Sequence, residues 1–332
     1  MLKRNLPLLI TIVVFLLGYA FCMTEFPAFQ STRVIGNILT DNAFLGILAV
    51  GMTFVILSGG IDLSVGSVVA FTGVFLATLI GKWGVSPYLA MLIVLVMGAL
   101  FGGLMGWIIE TLKIPAFIVT LAGMFFLRGV SFLISEQSIP IKHAVYHELS
   151  RSTWHIIGGG RLSLMAIIML LIVVLGILLA HRTRFGNNVY AIGGNAISAS
   201  LMGVPVRRTT IGIYMLSTFL ATCAGIVFSI YTSAGYPLAA IGVELDAIAA
   251  VVIGGTLLSG GVGTVFGSLF GVLIQGLIQT YITFDGTLSS WWTKIIIGVL
   301  LFSFIALQRL LLVLSERRKA SHASGPLKTA DG

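Results

Sequence analysis

The stretch that decides the fold is Tyr88-Leu-Ala-Met-Leu-Ile-Val-Leu-Val-Met-Gly-Ala-Leu-Phe-Gly-Gly-Leu-Met-Gly-Trp-Ile-Ile109, which contains no charged residue. A helix needs about 20 apolar residues to cross the hydrocarbon core of a bilayer, and this stretch is long enough. A membrane β-strand would instead show roughly ten residues of alternating hydrophobicity. The stretch therefore predicts a membrane-spanning α-helix.

The rest of the chain has the same character. Hydrophobic residues make up 58% of it and charged residues only 9%, and the mean hydropathy is +1.09. Soluble domains carry about 25% charged residues, so the lipid bilayer is the expected solvent here. We predict an all-α polytopic membrane protein with about ten transmembrane helices. The candidate segments are 6–23, 41–58, 62–81, 88–109, 115–135, 162–181, 210–232, 244–258, 263–283 and 290–313.

Some of these segments are open to a second interpretation. The first follows Lys3 and Arg4, as a signal peptide would, but bulky Phe21 before Cys22 argues against lipoprotein processing. We expect a retained signal-anchor helix. Glycine-rich interruptions within 41–81 and 244–283 leave room for re-entrant pieces in place of full crossings.

The basic residues indicate the orientation. If the chain crosses the membrane ten times from a cytoplasmic N-terminus, most Lys and Arg residues lie on the cytoplasmic side and most acidic residues lie on the other side. Cytoplasmic loops of membrane proteins are typically enriched in Lys and Arg. We expect a transmembrane domain at 1–315 with both termini cytoplasmic, an inner loop at 182–209, an outer loop at 136–161 and a basic polar tail at 316–332. This asymmetry accounts for the net charge of +8, so we expect no nucleic-acid partner.

One short motif occurs twice. Leu57-Ser-Gly-Gly60 with Gly66-Ser67 is echoed by Leu258-Ser-Gly-Gly261 with Gly267-Ser268, an offset of 201 residues (258 minus 57). Paired glycine-interrupted segments are typical of discontinuous helices beside a transport path, although glycine-rich turns can also match by chance. The predicted topology gives both copies the same direction, which a simple inverted repeat would not have.

The first copy continues through Gly59-Gly60-Ile-Asp62-Leu-Ser64-Val-Gly66, which places an acid between two apolar runs. Such a charge is costly in lipid unless it lies at the interface or caps a helix. We predict that Asp62 accepts hydrogen bonds from amides near Ser64 and Val65 and so caps the next helix, with direct substrate contact as the alternative.

Glycines recur every four residues in two of the candidate helices. Gly98, Gly102 and Gly106 form one series, and Gly263, Gly267 and Gly271 form another. Such ridges allow membrane helices to approach closely. We therefore assign these residues to helix packing.

The inner loop contains a short stretch of good helix formers at 195–202, with Asn195 as a natural N-cap and Gly203 as a natural stop. Arg182 and Arg184 precede it. A weakly charged cytoplasmic helix of this kind suits docking into a groove on another protein. It also suits adsorption to the membrane surface, with the arginines on anionic lipid.

Two cations fall inside predicted spans. Lys294 follows the interfacial pair Trp291-Trp292, and Arg128 lies near the outer end of its segment. We expect both side chains to snorkel toward the membrane surface.

The sequence offers no catalytic, cofactor or metal site. Leu-Ser-Gly-Gly also occurs in ATPases, but the chain lacks a Gly-x4-Gly-Lys-Ser/Thr phosphate loop, so a partner must hydrolyse any ATP. Cys22 and Cys223 lie inside apolar runs and serve packing. His143 and His147 are four residues apart, but they lack further ligands for a metal.

Taken together, these motifs resemble the permease family of ribose-type sugar ABC importers, which is related to the branched-chain amino-acid permeases. The resemblance extends from about residue 6 to residue 313. The matching stretches are Gly51-Met-Thr-Phe-Val-Ile56, Gly59–Ser67, the loop positions Gly194, Asn195, Ala199, Gly203 and Val204, and Asp246–Thr256. Within the family, Asp285–Lys294 is similar to the permease subunits of galactofuranose importers.

The resemblance implies a transport role in the bacterial inner membrane. The expected partners are an ABC ATPase subunit, a second and different permease subunit, and a periplasmic sugar-binding protein. The loop 182–209 would then couple to the ATPase, and Gly59–Gly66 would lie near the translocation path. Many family members have an acid followed by two alanines where this chain has Ile197, Ser198 and Ala199, so docking would depend on shape more than charge.

Three alternatives remain at this point. A branched-chain amino-acid permease of the same superfamily would share these motifs. An ion-driven secondary transporter would place acids or histidines within its spans, whereas the acids here lie near span ends. An intramembrane enzyme would need a Gly-x-Ser-Gly or His-Glu-x-x-His motif, and the sequence contains neither.

Overall fold

The computed structural model describes residues 6–155 and 158–323, and its structure is helical almost throughout. Lys3, Arg4 and the tail residues 324–332 lie outside the described residues. The helices are α1 (Leu6–Glu25), α2 (Thr32–Asp41), α3 (Ala43–Leu57), α4 (Val65–Gly81), α5 (Pro87–Leu112), α6 (Ala116–Ile134), α7 (Ala144–Arg151), α8 (Leu164–Arg182), α9 (Arg184–Gly194), α10 (Ala196–Leu201), α11 (Val206–Thr232), α12 (Val243–Ile253), α13 (Val265–Asp285) and α14 (Trp291–Ala323).

Each of the ten predicted segments contains a helix, but the helices differ in length. Among the described residues, seven are long and apolar enough to cross a bilayer: α1, α5, α6, α8, α11, α13 and the first part of α14. The pair α2–α3, bent by 57°, makes an eighth if it counts as one span. The remaining segments hold α4, with 17 residues, and α12, with 11. The all-α polytopic prediction is thus confirmed, and ten full-length spans are too many.

The helix boundaries follow the glycine-rich interruptions. Residues 58–64 separate α3 from α4, and residues 254–264 separate α12 from α13. Gly59, Gly255, Gly260 and Gly261 have positive φ there, a backbone region that side chains with a β-carbon disfavour. The chain therefore leaves the helical conformation at both places.

Two small antiparallel pairings order the segments outside the helices. β1 (Ile139–Pro140) pairs with β4 (Ala234–Gly235), and β2 (Thr153–His155) pairs with β3 (Arg161–Ser163). The 136–161 loop is thereby tied to the end of α11. We call this the outer end of the bundle, and the opposite end, which carries α9 and α10, the inner end.

The outer loop is also anchored by α7. Tyr146 is buried, and its hydroxyl lies 3.2 Å from that of Ser229 on α11. Burial raises the pKa of Tyr146 to about 12. The hydroxyl therefore keeps its proton near neutral pH and remains available for this hydrogen bond.

The core lies around α3, α4 and α11. Most side chains of α3 are buried, and α11 packs against α3, α4 and α5. The peripheral helices α1, α5, α6, α8 and α14 instead expose large apolar side chains such as Leu100, Leu133 and Phe302. Such faces are compatible with lipid or with another membrane subunit.

The last helix extends beyond residue 315, into the segment predicted as a basic polar tail. Helix α14 continues to Ala323, so the first residues of the 316–332 segment extend the last helix.

Candidate translocation core and coupling loop

The two copies of the repeated motif contact each other. The amide of Gly261 donates to the carbonyl oxygen of Leu57 at 2.8 Å. Nearby, the hydroxyls of Thr53 and Ser268 are 2.7 Å apart and buried. We call residues 57–64 and 254–264, with this contact between them, the break junction. It joins two interrupted helices, α3–α4 and α12–α13, in the interior of the bundle.

The copies also run in the same direction. Along α13, Ser268 pairs with Thr53 and Gly276 lies against Asn42, so α13 is antiparallel to α3. Gly271 lies against Ala250 and Gln275 donates to the carbonyl of Asp246, so α13 is antiparallel to α12 as well. Therefore α3 and α12 are parallel. The two copies of the motif have the same direction, as the topology predicted from the sequence requires.

Asp62 is the only acid of the break junction, and its side chain is completely buried. Oδ1 accepts from the Ser64 amide at 2.9 Å and from the Ser64 hydroxyl at 2.6 Å. Oδ2 accepts from the Ser217 hydroxyl of α11 at 2.7 Å. The carboxylate therefore holds the residue just before α4 and fixes the break to α11, an arrangement that three donors stabilise.

The glycines around Asp62 permit close contacts. A β-carbon at Gly60 would overlap the hydroxyl of Tyr214, and one at Gly66 would overlap the carboxylate of Glu244. Gly59 has a φ of +82° and lies near the carbonyl of Ser259. These residues thus allow the break to fit between α11 and the start of α12.

The loop 182–209 is packed directly against the break junction. A β-carbon at Gly193, near the end of α9, would overlap the Leu57 carbonyl oxygen and lie 2.5 Å from the Gly261 amide nitrogen. By contrast, a β-carbon at Gly194 would meet nothing within 4 Å. Movement of α9 would therefore press on both interrupted helices at the same point.

The short helix α10 projects from this loop. Asn195 caps it, since its Oδ1 accepts from the Ser198 amide at 2.8 Å, and the chain leaves it at Gly203 with a φ of +84°. The Val204 amide donates back to the Ala199 carbonyl at 3.0 Å. Ala199 itself is buried, so it packs inside the loop and is not available for contact with another protein.

The exposed side chains of this loop include three large apolar ones. Ile197, Leu201 and Met202 are 75%, 85% and 76% exposed. Arg182 and Arg184 are also exposed and flank Thr183, whose hydroxyl accepts from the Gly186 amide and caps α9. The loop therefore carries an exposed apolar tip on α10 and two exposed cations at the start of α9.

The two glycine series have different environments. A β-carbon at Gly98 or Gly102 would overlap Thr222 or Thr218 of α11, and one at Gly106 would lie 2.8 Å from the Cα of Ile211. This series forms the α5–α11 contact.

In the second series, Gly267 and Gly271 lie against the carbonyls of Gly254 and Ala250. Gly263 precedes α13 and lies against Thr256 inside the break. Its assignment to a helix ridge was wrong, because the helix begins only at Val265.

The two embedded cations bind within the protein. Arg128 donates to the carbonyl oxygens of Pro237 and Ala239 at 2.5 and 2.8 Å, and it interacts electrostatically with Glu244. Lys294 forms an ion pair with Asp246, at 2.6 and 2.5 Å from the two carboxylate oxygens. Arg128 is thus half-buried against carbonyl oxygens, whereas Lys294 is exposed beside Asp246 at the outer end. The expectation that these side chains snorkel to the membrane surface stays a prediction.

Two cavities with polar groups in their linings lie at opposite ends of the bundle. The outer cavity, of about 490 Å³, lies between the α2–α3 bend and the starts of α12 and α14. The inner cavity, of about 570 Å³, lies between the start of α1, α9 and the break before α13. No group of three or more His, Cys, Asp or Glu side chains among the described residues could hold a metal ion.

Sequence reasoning missed the residues that connect these features. Gly193 and Gly194 are adjacent glycines that no sequence pattern tells apart, and only their packing distinguishes them. Asp246 and Lys294 are 48 residues apart, so no local pattern pairs them. The exposed apolar residues of α10 were detectable, because Ile197, Leu201 and Met202 are large apolar residues in a helix that the sequence places outside the membrane.

Comparison with known proteins identifies the family. Residues 34–305 match the model of the family described as branched-chain amino acid transport system / permease component. The inner membrane ABC transporter permease protein YjfF of Escherichia coli (strain K12) is 75% identical over 97% of both chains. No solved structure is significantly similar.

Two further relatives carry sugar names. The fructose import permease protein FruG of Bifidobacterium longum (strain NCC 2705) is 38% identical, over 96% of this chain and 94% of its own. The ribose import permease protein RbsC of Escherichia coli (strain K12) is 36% identical, over 88% and 90%. These matches confirm the resemblance to ribose-type importer permeases. With its many apolar helices, the chain belongs to this family of multi-pass inner-membrane permease subunits of ABC importers, which are not themselves enzymes.

Proposed function

We propose that this chain is the membrane-spanning subunit of an ATP-driven importer that carries a sugar, galactofuranose, into the cytoplasm. Support for a sugar comes from the relatives named for fructose and ribose import. Support for galactofuranose comes from Asp285–Lys294, which resembles the permeases of galactofuranose importers.

The partners in this proposal are an ABC ATPase subunit, a second and different permease subunit, and a periplasmic sugar-binding protein. The exposed apolar tip of α10 suits a groove on the ATPase, and the exposed arginines at the start of α9 suit an acidic patch on the same partner. Both termini and the inner end would then face the cytoplasm, and the 136–161 loop would face the binding protein.

The observation that carries the mechanism is the contact of Gly193 with Leu57 and Gly261. ATP binding by the partner would move α9 and α10, and the packed glycine contact would transmit that movement to both interrupted helices. Rocking of these helices would open the path alternately to each side, as in other transporters built on broken helices. Asp62 would keep the α3–α4 break fixed to α11 during this movement.

Co-purification of the ATPase tests the docking element. The substitutions Leu201→Glu and Met202→Glu place charges on the apolar tip of α10 without changing any buried residue. We expect the wild-type chain to co-purify from detergent with an ATPase subunit and a second permease, and the double variant to lose the ATPase.

Ser198→Glu is the matched control, because Ser198 is exposed on the same helix but is polar. It adds the same kind of charge and should retain the ATPase. If the double variant retains the ATPase as well as the control does, α10 is not the docking element.

A second candidate substrate class follows from the family description, which names branched-chain amino acids. ATP-dependent uptake of leucine, in place of any sugar, by the reconstituted complex would establish that function. Uptake that requires an ion gradient and no ATPase would instead establish a secondary transporter.

A further inference from the structure

The outer cavity has several polar side chains among its apolar lining. Gln275 and Gln279 of α13 face it from one side, Asp41 and Tyr231 from another, and Trp291 stands at its rim. The volume of about 490 Å³ falls in the range of small-molecule sites. Polar side chains that gather around a cavity of a membrane domain are typical of a ligand site or a water-filled path, because they are costly against lipid.

The charged side chains around this cavity already have partners. Asp246 forms its ion pair with Lys294, and Gln275 donates to the Asp246 carbonyl at 3.0 Å. Asp41 accepts from the Tyr231 hydroxyl at 3.1 Å. Lys294 is thus occupied, so no cation of the described lining is left to bind the carboxylate of an amino acid.

The groups that remain available suit hydroxyl groups. The Gln279 amide is exposed and offers both a donor and an acceptor. The free lone pairs of Asp41 accept from hydroxyls, and the ring of Trp291, which is 74% exposed, offers a flat apolar face. Amides, a carboxylate and an aromatic face together match a sugar, which has hydroxyls around its edge and C–H groups on its faces.

The cavity also lies at one end of a route through the protein to the break junction. It lies at the outer end, where α2 and α3 meet at a 57° bend and where α12 and α14 begin. From there α12 and α13 lead to the break junction at the other end of the same two helices. A ligand in the cavity would therefore contact the elements that the coupling loop moves.

We propose that the outer cavity is a binding subsite for an uncharged monosaccharide on its way from the outer end to the break junction. Gln279 and Asp41 bind its hydroxyls, and Trp291 covers one face of the ring. The inference rests on the proposed transport function and adds the place where this chain contacts the sugar.

Protection of an introduced cysteine tests the site in the full chain without the ATPase. Cys22 and Cys223 are replaced by Ala, and Gln279→Cys supplies a single thiol in the cavity. Thr283→Cys is the matched control, since Thr283 is exposed one turn further along α13 and does not line the cavity. A membrane-impermeant methanethiosulfonate reagent is added with D-galactose, D-fructose, D-ribose, D-xylose or L-leucine.

We expect at least one sugar to slow modification at position 279 several-fold, leucine to have no effect, and position 283 to react equally in all cases. The inference is overturned if no sugar protects position 279, if leucine protects it equally, or if the sugar slows both positions alike.

Uptake by the reconstituted importer separates this inference from the proposed function. Gln279→Ala and Trp291→Ala should raise the KM for sugar uptake while the ATPase still co-purifies, and Thr283→Ala should change neither. An unchanged KM in both cavity variants counts against the subsite. A wild-type importer that takes up no sugar contradicts the proposed function, and cysteine protection then decides the cavity separately.

Discussion

At the scale of single residues, Asp62 shows how a buried charge can be structural in a membrane protein. Its two oxygens accept from three donors on Ser64 and Ser217, so the carboxylate is satisfied without contact to lipid or to a cation. The sequence predicted the contact with the Ser64 amide, but Ser64 itself occupies the N-cap position of α4, so Asp62 fixes the turn before the helix and does not cap it. The partner on α11 is 155 residues away, and no local pattern indicates it.

This network predicts the effect of removing the carboxylate. Asp62→Ala leaves the hydroxyls of Ser64 and Ser217 without their acceptor and should lower the unfolding free energy by about 2 to 4 kcal/mol. Ser217→Ala removes one donor and should cost about 1 kcal/mol. Thermal unfolding of the purified chain in detergent measures both.

Ser58→Ala serves as the control, because its hydroxyl donates only to the Val55 carbonyl within the same turn. If the Asp62→Ala and Ser58→Ala variants unfold at the same temperature, the Asp62 network does not stabilise the fold.

At the scale of elements, composition identified the helices and packing determined their ends. Each of the ten apolar runs contains one of the fourteen described helices. The lengths of α4 and α12 depend on contacts that a window of sequence does not contain, such as the hydrogen bond between Gly261 and Leu57. The repeated motif indicated that both breaks exist, but it did not indicate that they touch.

The contact between α5 and α11 gives a prediction for a whole helix pair. A methyl group at Gly102 overlaps the Thr218 hydroxyl and the Tyr214 carbonyl, so Gly102→Ala should separate the helices and cost about 1 to 3 kcal/mol. Gly129→Ala on α6 is the control, because no atom lies within 4 Å of the added carbon. Equal thermal stability of the two variants would show that the glycine contact is not tight.

At the scale of the whole molecule, the two ends have different surfaces. The inner end carries the basic loop with the apolar tip of α10, and the outer end carries β1–β4, α7 and the outer cavity. The sequence predicted this polarity from the distribution of Lys and Arg. It could not predict the outer cavity, since its residues Asp41, Asp246, Gln279 and Lys294 come from four separate segments.

The proposed orientation predicts the result of labelling in cells. In a chain without Cys22 and Cys223, Gln137→Cys places an exposed thiol in the outer loop and Ser200→Cys places one on α10. An impermeant thiol reagent added to intact cells should label position 137 and reach position 200 only after the membrane is opened. The opposite pattern would show that the topology is the reverse of the one proposed.

The central claim is that α9 and α10 transmit the ATP-driven movement of the partner to the break junction through Gly193. One comparison tests this claim most directly. ATP-driven sugar uptake and ATP hydrolysis are measured together in proteoliposomes that contain the importer with wild-type chain, Gly193→Ala or Gly194→Ala. We predict that Gly193→Ala retains the ATPase and hydrolyses ATP but loses sugar uptake, because the added methyl group overlaps Leu57 and Gly261. Gly194→Ala should match wild type in both activities, and equal uptake by the two variants would contradict the account.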